Sequence, residues 1–233
     1  MNYLGIPTID SYDYLVKTLS TIKTAFPFRI LVVNNGQPLP FLDKIANVNT
    51  IINNRKNAGI SVSWNQIIKW ALSYDDCESI FILNDDIELH PDCIDIMLNN
   101  LYQYDITGAY ETKDLDVVKE PRWVGGVHFS CFAMTPNIPR AIGYFDEAYT
   151  PFHVEDTDYW KRLIEAGFKS GTDRTAKFIH HKVRPRGEAK RWEEGGKVYS
   201  VREIHNRNRA YFRKKHGCSP KEWYGRSVEG SRR

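Results

Sequence analysis

Long apolar runs are missing from this chain of 233 residues, although 42% of them are hydrophobic. No stretch approaches the roughly 20 consecutive apolar positions that a membrane-spanning helix needs. The opening "MNYLGIPTID" has neither the basic start nor the apolar middle of a signal peptide. These absences lead to the expectation of a cytoplasmic protein with no transmembrane segment. Cysteine is scarce as well: Cys77, Cys93, Cys131 and Cys218 stand far apart with no C-x-x-C pair. Neither a disulfide framework nor a cysteine zinc site is suggested, and reduced thiols are expected. Internal repeats and low-complexity segments are absent.

Charge is present but unevenly placed. From Arg174 onward there are 18 Lys and Arg against six Asp and Glu, a net +12, while the first 173 residues hold 14 against 23, a net −9. Such a basic segment attracts a polyanion, whether nucleic acid, an anionic glycan or a membrane surface, or it is a solvated helical face. The length suits one substantial core with a tail.

Short β-branched runs alternate with segments of helical period. "YLGI", "FRILVV", "NTIIN" and "SIFIL" read as strands, and "YDYLVKTLSTI", "GISVSWNQIIKWAL" and "PDCIDIMLNNLY" as helices. The alternation predicts an α/β fold with a mostly parallel central sheet. The strand runs are continuously apolar, as when helices cover both faces. Ile60, Trp64, Ile67, Ile68, Ala71 and Leu72 form one helical stripe. Pro91 suits a first helical position, with Ile94, Met97, Leu98 and Leu101 on the buried face. "SVREIHNRNRAYFRKKHG" reads as a basic amphipathic helix ending at Gly217, after a loop at "RPRGEAKRWEEGGK".

In parallel α/β sheets, ligands bind beyond the carboxyl ends of strands, which is where Asn84, Asp85 and Asp86 fall. Strand alternation would point Asn84 and Asp86 one way and Asp85 the other. One carboxylate with one amide suits Mg2+ or Mn2+ if phosphates and water complete the shell; a polar turn is the plainer alternative. Glu155, Asp156 and Asp158 open a helix whose apolar stripe would be Trp160, Leu163 and Ile164. Acids there stabilise a helix start, but three together repel one another unless a cation or substrate is near.

With "NRKNAGISVSWNQIIKWA", "FILNDD" and "IGYFDEAYTPFHVEDTDYWKRLIEAGF" in view, the chain resembles nucleotide-sugar-dependent glycosyltransferases of the GT-A fold. The resemblance is to family 2, especially its rhamnosyltransferase-like branch, and covers about Tyr3 to Trp223. It implies Asp156 as catalytic base. Asp86, with His180 or else His181, would be a metal ligand. Pro7, Thr8, Asn34, Asn57, Gly59, Asn84 and Asp85 are implied on the donor side. Gly125, Gly126, Glu155 and Asp158 are implied around sugar and acceptor. Asn84 and Asn34 stand where many relatives carry Asp, so the donor nucleotide stays open.

The resemblance further implies a nucleotide-binding half at about 1–90 and an acceptor half at 91–175. A basic extension, 176–233, would pack on or near the active site. The activity implied is an inverting hexosyl or pentosyl transfer with Mn2+ or Mg2+ and a nucleotide-diphosphate sugar as co-substrate, to an acceptor glycan or nucleic acid. Two alternatives stay open. A nucleotidyltransferase shares this layout, but its Gly-rich N-terminal loop is lacking, since no glycine lies between Gly5 and Gly36. A non-catalytic polyanion-binding module would use the basic segment alone.

Overall fold

The computed structural model describes residues 1–10, 12–38, 47–54, 56–117, 123–124, 126–182, 192–194 and 197–224. The first half of the chain runs β1 (Asn2–Thr8), α1 (Tyr12–Thr21), β2 (Phe28–Asn34), β3 (Thr50–Asn53), α2 (Ile60–Leu72), β4 (Ser79–Leu83), β5 (Ile87–Leu89) and α3 (Cys93–Asn100). There follow β6 (Ile106–Gly108), β7 (Tyr110–Glu111), β8 (Trp123–Val124), β9 (Cys131–Met134), α4 (Asn137–Ile142), a 3-10 turn at Glu147–Tyr149 and α5 (Glu155–Glu165). The last part holds β10 (Ser170–Asp173), β11 (Lys177–His180), β12 (Trp192–Glu194), β13 (Lys197–Tyr199) and α6 (Val201–His216).

The central sheet has the order β3-β2-β1-β4-β9-β6-β10-β8. Strands β3, β2, β1 and β4 are parallel neighbours, as are β6 and β10, whereas β9 runs antiparallel between β4 and β6 and β8 antiparallel to β10. The sheet is therefore mostly parallel. A smaller sheet, β5-β11-β7, joins segments distant in sequence.

Both faces of the main sheet are buried, which explains the continuous apolar runs. Leu4, Ile6, Ile30, Val32, Phe81 and Leu83 pack with Leu15 of α1 and with Cys93, Ile94 and Met97 of α3. On the other face Tyr3, Leu31, Val33, Ile80 and Ile82 meet Trp64, Ile67, Ile68 and Ala71 of α2, Ile138 of α4, and Tyr159 and Leu163 of α5. Gly5 sets the approach of α2, since a Cβ there would lie 2.3 Å from Ile67. Pro7 is tolerated near the end of β1 because pairing with β4 stops at Gly5.

Local signals hold well at α6: Ser200 and Glu203 form a reciprocal capping box, and Gly217 ends the helix at φ 69°. Phe212 joins Tyr149, Val154, Cys218 and Trp223 in a satellite core that seats α6 against α5. Two sequence expectations shift. Pro91 precedes the N-cap Asp92 instead of opening α3, because the Cys93 amide donates to His90 O (2.9 Å) in a preceding turn. On α5 the buried face is Tyr159 and Leu163; Trp160 is half-buried and Ile164 is 38% exposed. All four cysteines are buried and free. Among the described residues, no helix is long and apolar enough to cross a membrane.

Candidate active site

Strands β1, β2 and β4 end at one edge of the sheet, and a cavity of about 870 Å³ opens there. Pro7, Thr8, Asn84, Asp85 and Asp86 line its floor. Asp85 and Asp86 occupy a turn after β4, so strand alternation does not govern them. Their carboxylates part nevertheless. Asp85 accepts the Thr8 hydroxyl at 2.6 Å, and Asp86 meets His180 Nε2 at 3.1 Å. Burial pushes the Asp85 carboxyl up to about 7, against the lowering by the Thr8 bond and with Asp86 raising it further. Of the two asparagines after β2, Asn35 lines the cavity. Asn34, the expected donor contact, is 1% exposed and spends its amide on Gln37 O (2.8 Å) and Asn53 Oδ1 (3.0 Å). It holds the strand end together instead.

His180 closes β11, and the β5-β11 pairing carries it to Asp86. His181, the second choice, pairs with Glu88 (3.2 Å) outside the cavity lining. Glu111, His128 and Lys182, none of them singled out as a site residue in the sequence, complete this corner. Glu111 meets His128 Nε2 at 3.0 Å and Lys182 Nζ at 2.7 Å. Burial raises the Glu111 carboxyl, but Lys182 and the two histidines outweigh it and leave it low; burial likewise lowers the His128 imidazole. Among the described residues no three His, Cys, Asp or Glu side chains form a metal cluster. Asp86 and His180 do suit a cation of the Mg2+ or Mn2+ kind. One carboxylate and one imidazole meet at 3.1 Å beside open cavity, and diphosphate oxygens and water commonly supply the remaining ligands.

Asn57 and Gly59 flank the start of α2. Gly59 has φ 87°, and a Cβ there would lie 3.0 Å from Pro151 Cα and Thr150 Cγ2. The Ile60 amide donates to Pro151 O at 2.8 Å. The close approach that glycine permits is thus taken by the Thr150-Pro151 segment, and the first helical amide is not free for an anion. Asn57 Oδ1 accepts the Gly59 amide (3.0 Å). Gly126 lines the cavity at φ 93° with open space around its missing side chain, so it serves the turn and not a close contact. Gly125 lies outside the described residues. Trp64, Phe129 and Trp160 form an aromatic wall in which the buried Trp64 indole N–H has no partner.

The start of α5 also lines the cavity, and its acids do not cap the helix. Val154 is the N-cap at φ 78°, after His153 at φ 75°, two non-glycine residues in a costly left-handed conformation. Asn208 of α6 holds this bend: its buried amide donates to Tyr149 O, Phe152 O and His153 O at 2.7–2.9 Å. Glu155 and Asp156 then face the cavity, with Asp156 Oδ1 accepting from the Thr157 amide (2.6 Å) and hydroxyl (3.2 Å). Asp158, expected at the sugar or acceptor, turns away. It is fully buried and meets His216 Nε2 (2.7 Å), Lys215 Nζ (2.8 Å), Arg162 Nε (2.9 Å) and the Tyr149 hydroxyl (3.1 Å).

Burial, then the neighbouring Asp156 charge, pushes the Glu155 carboxyl well above its ordinary 4.5, and its Oε2 has no partner. The folded chain therefore keeps a proton that the unfolded chain loses above about 4.5, and stability contributed by this group falls as pH rises. Glu155→Gln is expected to raise Tm relative to the parent at pH 7 and to leave the difference near zero at pH 4. Parallel melting curves across that range would contradict the assignment.

Residues 3–176 match the family model described as glycosyl transferase family 2. Among solved structures, the chain is similar to TarS 1-349 of S. aureus, at TM-score 0.59 and 15% identity over 77% of this chain and 60% of that one. S. aureus TarS matches at 0.60 and 16%, over 77% and 36%. GalNAc-T7 solved with UDP, GalNAc and Mn2+ matches at 0.61 and 10%, over 77% and 43%. The chain spans between about a third and three fifths of these proteins, and at such identities the likeness is one of fold. No curated protein matches it.

Proposed function

The chain belongs to glycosyl transferase family 2, and we propose that it transfers a sugar from a nucleotide-diphosphate donor to an acceptor hydroxyl with inversion. One observation carries this reading: Asp86 with His180, and Glu155 with Asp156, come from remote segments yet line a single cavity at the strand ends. Asp156 takes the acceptor hydroxyl's proton as that oxygen bonds to the anomeric carbon, and the bond from that carbon to the diphosphate breaks on the opposite side. The donor lies over Pro7, Thr8, Asn35, Asn57, Gly59, Asn84 and Asp85, within the nucleotide half at about 1–90. The sugar meets the aromatic wall and Glu155, whose neutral carboxyl gives or accepts a hydrogen bond. Asp86 and His180 would hold Mn2+ or Mg2+, which when bound supplies charge neutralisation to the departing diphosphate. GalNAc-T7, solved with UDP and Mn2+, supports that pairing of ligands by its likeness of fold.

The acceptor is a polyanion in this reading. Exposed Arg202, Arg209, Arg213 and Lys214 lie along α6, whose first residue, Val201, reaches the cavity with Tyr224. The extension from 176 thus serves the acceptor half at 91–175. Asp86→Ala is expected to remove the Mn2+-dependent part of donor binding in a calorimetric titration and to leave the metal-independent part. Unchanged Mn2+ dependence would take Asp86 out of the cation role. Offering duplex DNA, an anionic glycan and a neutral glycan to the enzyme with donor tests the acceptor. Transfer to an anionic acceptor that weakens with added salt is expected, and preference for the neutral glycan would contradict it.

A further inference from the structure

Glu111 ends β7, where parallel pairing sets it beside Phe178, two residues before His180. Its Oε2 stands 4.0 Å from His180 Nδ1, a buried ring nitrogen without a hydrogen-bond partner. The other ring nitrogen, Nε2, faces Asp86 Oδ1 at 3.1 Å. An imidazole that gives Nε2 to a cation carries its proton on Nδ1, and a buried N–H left unpaired is destabilising. Metal-bound histidines accordingly donate their second N–H to a carboxylate, a carbonyl or water.

We propose that Glu111 is the positioning residue of the cation site, accepting the Nδ1–H of His180 when Nε2 turns from Asp86 to the ion and so fixing the tautomer and ring plane. The gap has to shorten from 4.0 Å to about 2.7–3.2 Å. Glu111 has room for this, because it is only partly buried and its partners, Lys182 on Oε1 and His128 on Oε2, are side chains 67% and 43% exposed. The inference rests on the reading of Asp86 and His180 as cation ligands.

The test is a titration of the full chain with Mn2+, reading the free ion by electron paramagnetic resonance. The parent chain should bind the ion, and Asp86→Ala should lose it. Glu111→Ala should weaken it about 10–100-fold, and Glu111→Gln, whose amide oxygen still accepts, should recover most of that loss. Glu111→Met, similar in length but unable to accept, replaces the alanine variant if melting curves show the latter unfolded. Parent-like Mn2+ affinity in the non-accepting variant, with Asp86→Ala still defective, overturns the role of Glu111 and leaves the cation reading standing. A glutamine variant as weak as alanine also overturns it, since charge alone would then explain the effect. A parent chain that does not bind Mn2+ overturns the cation reading itself.

Discussion

Asp156→Asn is expected to lower sugar transfer by about 10²–10⁴, the usual worth of general-base help, while donor binding stays close to the parent's. The amide keeps the shape of the carboxylate and an oxygen to accept from the Thr157 amide, now 2.6 Å away. It cannot take the acceptor's proton. The loss should therefore fall on turnover, with the donor's dissociation constant and the melting temperature nearly unchanged. Retained turnover with a hydroxyl acceptor would remove Asp156 from the role of base. Glu155 does not replace it: burial and then the Asp156 charge push its carboxyl well above the ordinary range and so favour its protonated form.

Asp158→Ala is expected to act on folding instead. The substitution strands Lys215, His216 and Arg162 around a buried site that is 0% exposed. Removing one partner of a buried ion pair costs about 3–5 kcal/mol, or a fall in Tm of roughly 6–20 °C for a chain of this size. Asp92→Ala, at a surface contact 3.7 Å from His90, should change stability by less than about 1 kcal/mol. The effect of Asp158 extends to activity, because α6 also carries Asn208, which pins the bend before Asp156. If Asp158→Ala instead weakened acceptor use with no change in melting, the residue would belong to the acceptor site after all.

Features encoded within a few residues were legible from the amino acids alone. The stripe of α2, the capping box and Gly217 of α6, and the position of Asp85 and Asp86 after a buried strand depend on local spacing. Features set by pairing between distant segments were not. Which of Asn34 and Asn35 faces the cavity depends on where β2 ends relative to β3 and the turn after it. Glu111 sits on a short segment without any motif and His128 two residues after a glycine pair that does not single it out, and only the β7-β11 register and the loop before β9 bring them to His180. Asp158 carries the same spacing signal as Asp156, yet the helix turns it toward a tail whose docking no local pattern announces. Gly59 was recognisable as a close-approach position, but what approaches is Pro151. The antiparallel insertion of β9 was likewise hidden, since an apolar run carries no pairing direction.

In the proposed function, one cavity binds a nucleotide sugar through Asp86 and His180 and transfers its sugar through Asp156. The most direct measurement is release of nucleoside diphosphate from a panel of nucleotide sugars with Mn2+, before and after chelation, for the parent chain and Asp86→Ala. Release from at least one donor is expected, lost on chelation and in the variant. Absence of release from every donor in the panel, with and without acceptor, or release that persists equally in Asp86→Ala, would contradict it.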